Sequence, residues 1–302
     1  MRAHNVFGSV AVGCMALVAQ SPPTSASLRA PAETVAAWSA FTNEAAPLPG
    51  AGELPTLLAR LTALLANPDP ALRDDVAYTL LSKWLRADGL VAPAQCRGLL
   101  ADWTAALQAG VGERDTDAVC GRSFAALSLA LLAARDLDHA FLEQGEFDAL
   151  LAAALAYLGA ERDVRGFDAR LGWVHSVAHT ADLLKFLLRN PKLAPAQQAA
   201  VLAAITAKLA AVEVPLVAGE DERLARAVLS LCARDDFDRT AFADWLGALC
   251  RQRYGGGAAV ELARRENRKH VLVSLFALLT LDPRPAPSLV AARAELRSAL
   301  GG

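Results

Sequence analysis

An apolar period of three and four residues runs almost without pause from Leu54 to Leu300, and Pro, Gly or Asp breaks it every one to two dozen residues. Leu57, Leu58, Leu61, Leu64 and Leu65 draw one stripe, Asn67-Pro68-Asp69-Pro70 ends it, and Leu72-Arg73-Asp74-Asp75-Val76 opens the next. Such a period means amphipathic helices, and punctuation at this frequency means short connections that fold each helix back on the last. Composition agrees: Ala and Leu, the best apolar helix formers, dominate, while Ile occurs once, at Ile205. An all-α fold is expected, with helices over 93–108, 117–135, 146–158, 167–189, 195–211, 221–233, 239–252, 258–281 and 288–300. Pairs of roughly 40 residues fit one stacked array better than two separate cores. The expected architecture is a right-handed α-solenoid, a HEAT-like stack of antiparallel helix pairs forming one repeat domain over 53–302.

The start of the chain reads as an address. One Arg precedes the apolar run Val6 to Ala19, and a small, polar, Pro-containing stretch follows, the order of a secretory signal peptide over 1–26 with cleavage after Ala26. A periplasmic or secreted location follows; lipid attachment at Cys14 is the less favoured variant, because the residues before it match a lipoprotein box only in part. Residues 27–52 read as an Ala/Pro-rich linker with one short helix near 33–41. The most apolar later segment, Ala118 to Ala134, contains Arg122 and is expected as a core helix, so no transmembrane span is expected after the signal peptide. Export leaves Cys96, Cys120, Cys232 and Cys250 either to pair locally as 96–120 and 232–250 or to serve as small core residues. A formal charge of −2 supplies no bulk field for nucleic acid, which is excluded as a partner. The basic run Arg264, Arg265, Arg268, Lys269 and His270 reads as a solvated helix face.

Against this uniform background one strip is unusual. If 167–189 is one helix, His179 lies about 40° and Asp182 about 20° from His175 around its axis, so two imidazoles and a carboxylate share a narrow face with Phe186. Trp173, Val177, Leu184 and Leu188 fall opposite and are expected in the core. Three readings compete for the strip. It is a polar network that satisfies buried groups between helices, a ligand pocket without catalysis, or a divalent metal site (Zn, Mn or Fe) with His175, His179 and Asp182 as ligands. In the last case Asp163 or Glu222 is the candidate catalytic base. A metalloprotease of the His-Glu-x-x-His kind is excluded, because Ser176 stands where the Glu is needed. Arg162, Arg165 and Arg223 are expected to join the same cluster.

Gly172-Trp173-Val174-His175-Ser176-Val177-Ala178-His179-Thr180-Ala181-Asp182-Leu183-Leu184, with Arg162-Asp163-Val164-Arg165-Gly166 before it, resembles the bacterial domain of unknown function 2785 family. Arg73-Asp74-Asp75-Val76-Ala77-Tyr78, Arg122 to Leu127 and Glu220 to Ala225 agree, so the likeness covers roughly residues 55 to 250. The resemblance implies a helical, HEAT-like domain and no particular activity. The functional expectation is therefore an exported binding or scaffold protein that holds a protein, peptide or small ligand on its concave face; the alternative is a metal-dependent, hydrolase-like enzyme centred on His175, His179 and Asp182.

Overall fold

The computed structural model describes residues 33–43, 46–253, 257–281 and 285–300. Residues 1–26, read above as a signal peptide, Cys14 and most of the triple glycine lie outside the described residues. From Thr34 onward the chain is one compact, mostly helical unit, and 69% of the described residues are helical. Trp38 is fully buried in its core beneath the Arg60 guanidinium, so part of the stretch read as linker packs with the domain. It sits at the end of a 3-10 turn, Val35–Trp38, that runs into α1 (Ser39–Thr42).

Helices α2 (Leu54–Leu64), α3 (Thr79–Arg86), α4 (Pro93–Ala106), α5 (Ala118–Asp138), α6 (Gln144–Ala160), α7 (Ser176–Leu187), α8 (Pro195–Ala211), α9 (Glu220–Cys232), α10 (Arg239–Arg251), α11 (Ala258–Leu281) and α12 (Pro287–Ala299) follow. Successive helices pack in pairs. One row runs α3, α5, α7, α9, α11, each against the next; a second holds α6, α8, α10 and α12 in the same order. Pro at the first turn of α2, α4, α8 and α12 marks where helices restart, since its missing N–H has no partner to lose there.

The core is one continuous Leu-rich cluster running from Trp38 to Leu296. Among the described residues α5 is the helix long and apolar enough to cross a membrane, and most of it is buried in this fold. Its Arg122 is fully buried, with Nε 2.6 Å from Glu161 Oε2 and Nη1 donating to Ala109 O at 3.0 Å. Cys96, Cys120 and Cys232 are buried free thiols and Cys250 is a half-buried one, so the local pairings 96–120 and 232–250 do not form. In the basic run, Arg268 donates to the carbonyls of Leu249 and Gln252, while Arg265, Lys269 and His270 surround Glu266.

Two departures from plain helix shape the surface above α7. Ala71–Tyr78 is a π-helical stretch that runs into α3. The expected helix over 167–189 starts only at Ser176: before it, β1 (Phe167–Asp168) pairs antiparallel with β2 (Gly172–Trp173). The Asp168 carboxylate accepts the N–H groups of Arg170 and Leu171, and that local turn competes successfully with helix.

Candidate functional site

Arg73 fixes the hairpin. Fully buried, it donates to the carbonyls of Asn67 (3.1 Å) and Leu171 (2.5 Å) and to Cys120 Sγ (3.4 Å), tying the Asn-Pro-Asp-Pro turn, α5 and the hairpin to one guanidinium. Leu171 and Val174 pack with Val119 and Cys120 in a small core of their own. Held there, His175 takes a left-handed conformation (φ +49°) as the residue before α7, its N–H reaching the carbonyl of Arg165 at 3.1 Å. A non-glycine residue in that region stores strain that its surroundings must over-determine. Gly166 allows the fit, since a Cβ there would stand 2.4 Å from Ala218 Cβ and 2.6 Å from Glu220 Oε1.

His175 is therefore not on the helix with His179, and the angular argument from the sequence does not apply to it. The two rings meet all the same, edge to face, with centroids 5.7 Å apart. Trp173 stacks on His175 at 4.4 Å and is 46% exposed beside Phe167; the expectation of a core Trp is corrected, because the hairpin turns it outward. Val177, Leu184 and Leu188 do lie in the core.

Each histidine commits one nitrogen to the protein. His175 Nε2 donates to Ala218 O at 3.0 Å. His179 Nδ1 lies 2.8 Å from Ser123 Oγ, whose single proton goes to Val174 O in a short bond. His179 must then carry its proton on Nδ1, which leaves the Nε2 lone pair without a hydrogen bond among the described residues. Burial pulls His179 well below the usual histidine range and, less strongly, His175; both are neutral at pH 7. Ser123 is fully buried and bonded twice, so this Ser–His contact is a brace and not a nucleophile.

Asp182 shares the α7 face with His179, but its carboxylate is already engaged: Lys185 lies 3.2 Å from Oδ1, and Arg223 closes on Oδ2. His175, His179 and Asp182 do not form a three-ligand set, and among the described residues no group of three or more His, Cys, Asp or Glu side chains is arranged to hold a metal. Glu222 pairs with Arg226 and stands half exposed at the rim. The other half of the expected cluster lies elsewhere. Asp163 accepts Arg165 (2.7 Å) and the Asp115 N–H (3.0 Å), and Arg165 also reaches Asp168. Together with the exposed Arg162 they line a separate cavity.

The histidines open on two adjoining cavities of about 750 and 520 Å³ that share Tyr78, Leu127, His179 and Arg223. They make a groove across α3, α5, α7 and α9, with Leu127, Leu131 and Ala134 as an apolar floor and Phe186, Lys185 and Arg86 along its sides. Asp74, from the π-helical stretch, enters next to His175 and Phe124; burial pushes its carboxyl up to about 6 despite the adjacent Arg73. Sequence reading missed Tyr78 and Asp74 as site residues. No local pattern signals them, because both reach the groove only through the packing of the π-helical stretch beside α5 and α7.

A family model described as Protein of unknown function (DUF2785) matches residues 107–277. The chain belongs to that family. The DUF2785 match takes in α5 to α10 and most of α11, with both histidines, Asp182 and Arg223, and begins after the π-helical stretch that supplies Asp74 and Tyr78. No curated protein and no solved structure matches the chain.

Proposed function

We propose that this DUF2785 protein is a binding protein that takes an extended peptide segment into the groove across α3, α5, α7 and α9. The observation that carries the reading is the floor of the groove: beside apolar Leu127 and Leu131, the His179 Nε2 lone pair has no protein donor among the described residues. An acceptor left open to the groove in this way can take a ligand N–H, as a peptide backbone supplies. Arg223 and Lys185 offer donors to ligand carbonyls, and Trp173, exposed on its hairpin, offers a face for a side chain. The row α3, α5, α7, α9, α11 is then the concave face of a right-handed, HEAT-like α-solenoid, the geometry in which successive helices present one long surface. Export to the periplasm or outside the cell, by removal of 1–26, completes the reading; N-terminal sequencing of the mature protein tests it.

The test of the groove is a peptide library panned against the full chain. Selected peptides should compete with one another and lose about ten-fold or more in affinity on His179→Gln or Leu127→Asp, the loss expected for one buried hydrogen bond or one desolvated contact. Binding indifferent to both changes, or no peptide above background, overturns it. A divalent metal and hydrolase-like chemistry form the second reading. What favours it is that His179 Nε2 and His175 Nδ1 carry lone pairs beside one cavity, with Glu222 at its rim. Elemental analysis separates the two: about one equivalent of Zn, Mn or Fe, lost in His179→Gln, supports the metal.

A further inference from the structure

A second cavity, of about 340 Å³, lies between the loop that follows α6 and the end of α8, apart from the histidine groove. At its wall stands Lys208, only 2% exposed, on the inner side of α8. Its Nζ donates to Glu161 O at 2.6 Å and makes no other hydrogen bond and no ion pair among the described residues. Two of the three ammonium donors are left over. A buried ammonium without an ion pair is costly, and here burial, only partly offset by the nearby Glu161 charge, lowers Lys208 to about 8.

Two further cations make the imbalance worse. Arg114 and Arg162 line the same cavity, both lie close enough to oppose the charge on Lys208, and neither side chain has an ion-pair partner among the described residues. The carboxylates nearby are already engaged. Glu161 is held by Arg122 and by the amides of Arg162 and Asp163, Asp163 by Arg165, and Glu213 by Arg264; exposed Asp115 reaches only Arg165. Folding therefore gathers Lys208, Arg114 and Arg162 round one cavity whose four carboxylates, Asp115, Glu161, Asp163 and Glu213, make their ion pairs with other arginines.

We propose that this cavity binds a phosphate group, with Lys208 at its base and the Arg114 and Arg162 guanidiniums closing on it from the exposed side. Three cationic donor groups lining one cavity from different elements suit a tetrahedral oxyanion, whereas a planar carboxylate is met by a single guanidinium fork. The volume exceeds that of a bare ion and lies at the small end of metabolite sites, so the group comes either free or on a small phosphomonoester.

Calorimetry and thermal melting of the full chain test this at constant ionic strength, with inorganic phosphate and glycerol phosphate as probes and acetate as the control. Phosphate or its ester should bind and raise the melting temperature where acetate does not. The double variant Arg114→Ala/Arg162→Ala, which alters exposed side chains, should weaken binding about ten-fold or more, as loss of charge-assisted hydrogen bonds does. Lys208→Met should abolish the phosphate-dependent rise while melting no lower than wild type without phosphate, because an unpaired buried charge has been removed; if that variant fails to fold, the arginine pair carries the test. A tighter ester points to a phosphorylated metabolite and equal affinities to the free ion. No heat with either probe up to about 10 mM, or affinity unchanged in the arginine variant, overturns the proposal.

Discussion

The two ends of the segment between α6 and α7 solve the same problem differently. At Glu161–Arg165 nearly every carboxylate lone pair is used: Arg122 holds Glu161 from both sides, and Glu161 Oε1 also accepts two backbone amides. About ten residues on, His175 and His179 each bond the protein through one nitrogen and turn the other toward open space. Ser176 joins the two ends, its hydroxyl donating to the Asp163 carbonyl from the first position of α7. The saturated end holds the helices in place, and the end with unused valence is where a ligand has something to do.

That contrast predicts a graded response to substitution. The largest effect is expected at the saturated end: Glu161→Ala leaves the Arg122 guanidinium buried and unpaired, which should cost about 3–5 kcal/mol in denaturant unfolding. A loss below about 1 kcal/mol would show that water reaches Arg122 and that this end is not the brace described. His179→Gln should cost less, about 1–3 kcal/mol, since Ser123 keeps Val174 O as partner. It should also change the acid response. The pKa of His179 is depressed on folding, so the native state binds fewer protons than the unfolded one; its stabilising contribution is present above pH 6.5 and is lost as pH falls below that value. The variant should flatten that decline in a pH series of melting curves.

Asp74 faces the same groove with the opposite sign. Its carboxyl is raised from 3.8 to about 6, so the native state holds a proton that the unfolded state has released, and stability falls as pH rises from about 4 through 6. Asp74→Asn should remove that fall, worth on the order of 1 kcal/mol once its partial exposure to solvent is discounted. An unchanged pH profile would mean that Asp74 is solvated and not part of the groove. The smallest effect is expected for Trp173→Ala, below about 1 kcal/mol, because the ring is half exposed and stacks only on Phe167 and His175 among the described residues. A larger loss would make the hairpin a structural element and weaken its reading as a rim for ligand.

The same residues show how far the site can be read from the sequence. His179 and Asp182 share one face because α7 is regular from Ser176, and helical geometry carries from sequence to space without further information. Helical geometry does not carry His175 to that face, because it precedes α7. It reaches His179 because the hairpin, pinned by Arg73 from far upstream in the chain, ends in a left-handed residue. Asp163 and Arg165 are close to the histidines along the chain yet lie in another cavity, since a turn between two helices exchanges neighbours faster than distance in sequence suggests. Tyr78 and Asp74 arrive from a helix far upstream, and no local pattern announces their approach to α7.

Local rules suffice to make this chain helical, to pair its helices in succession and to place where almost every one begins and ends. A 3.6-residue period, Pro at first turns and the scarcity of competing strand formers each act within one or two turns of the chain, so the order of residues alone carries them. Which polar groups are satisfied and which are not is a property of the assembled fold. Hydrogen-bond completeness depends on partners contributed by distant helices, so the open nitrogen of His179 and the uncompensated ammonium of Lys208 exist only after packing has assigned every other donor and acceptor around them.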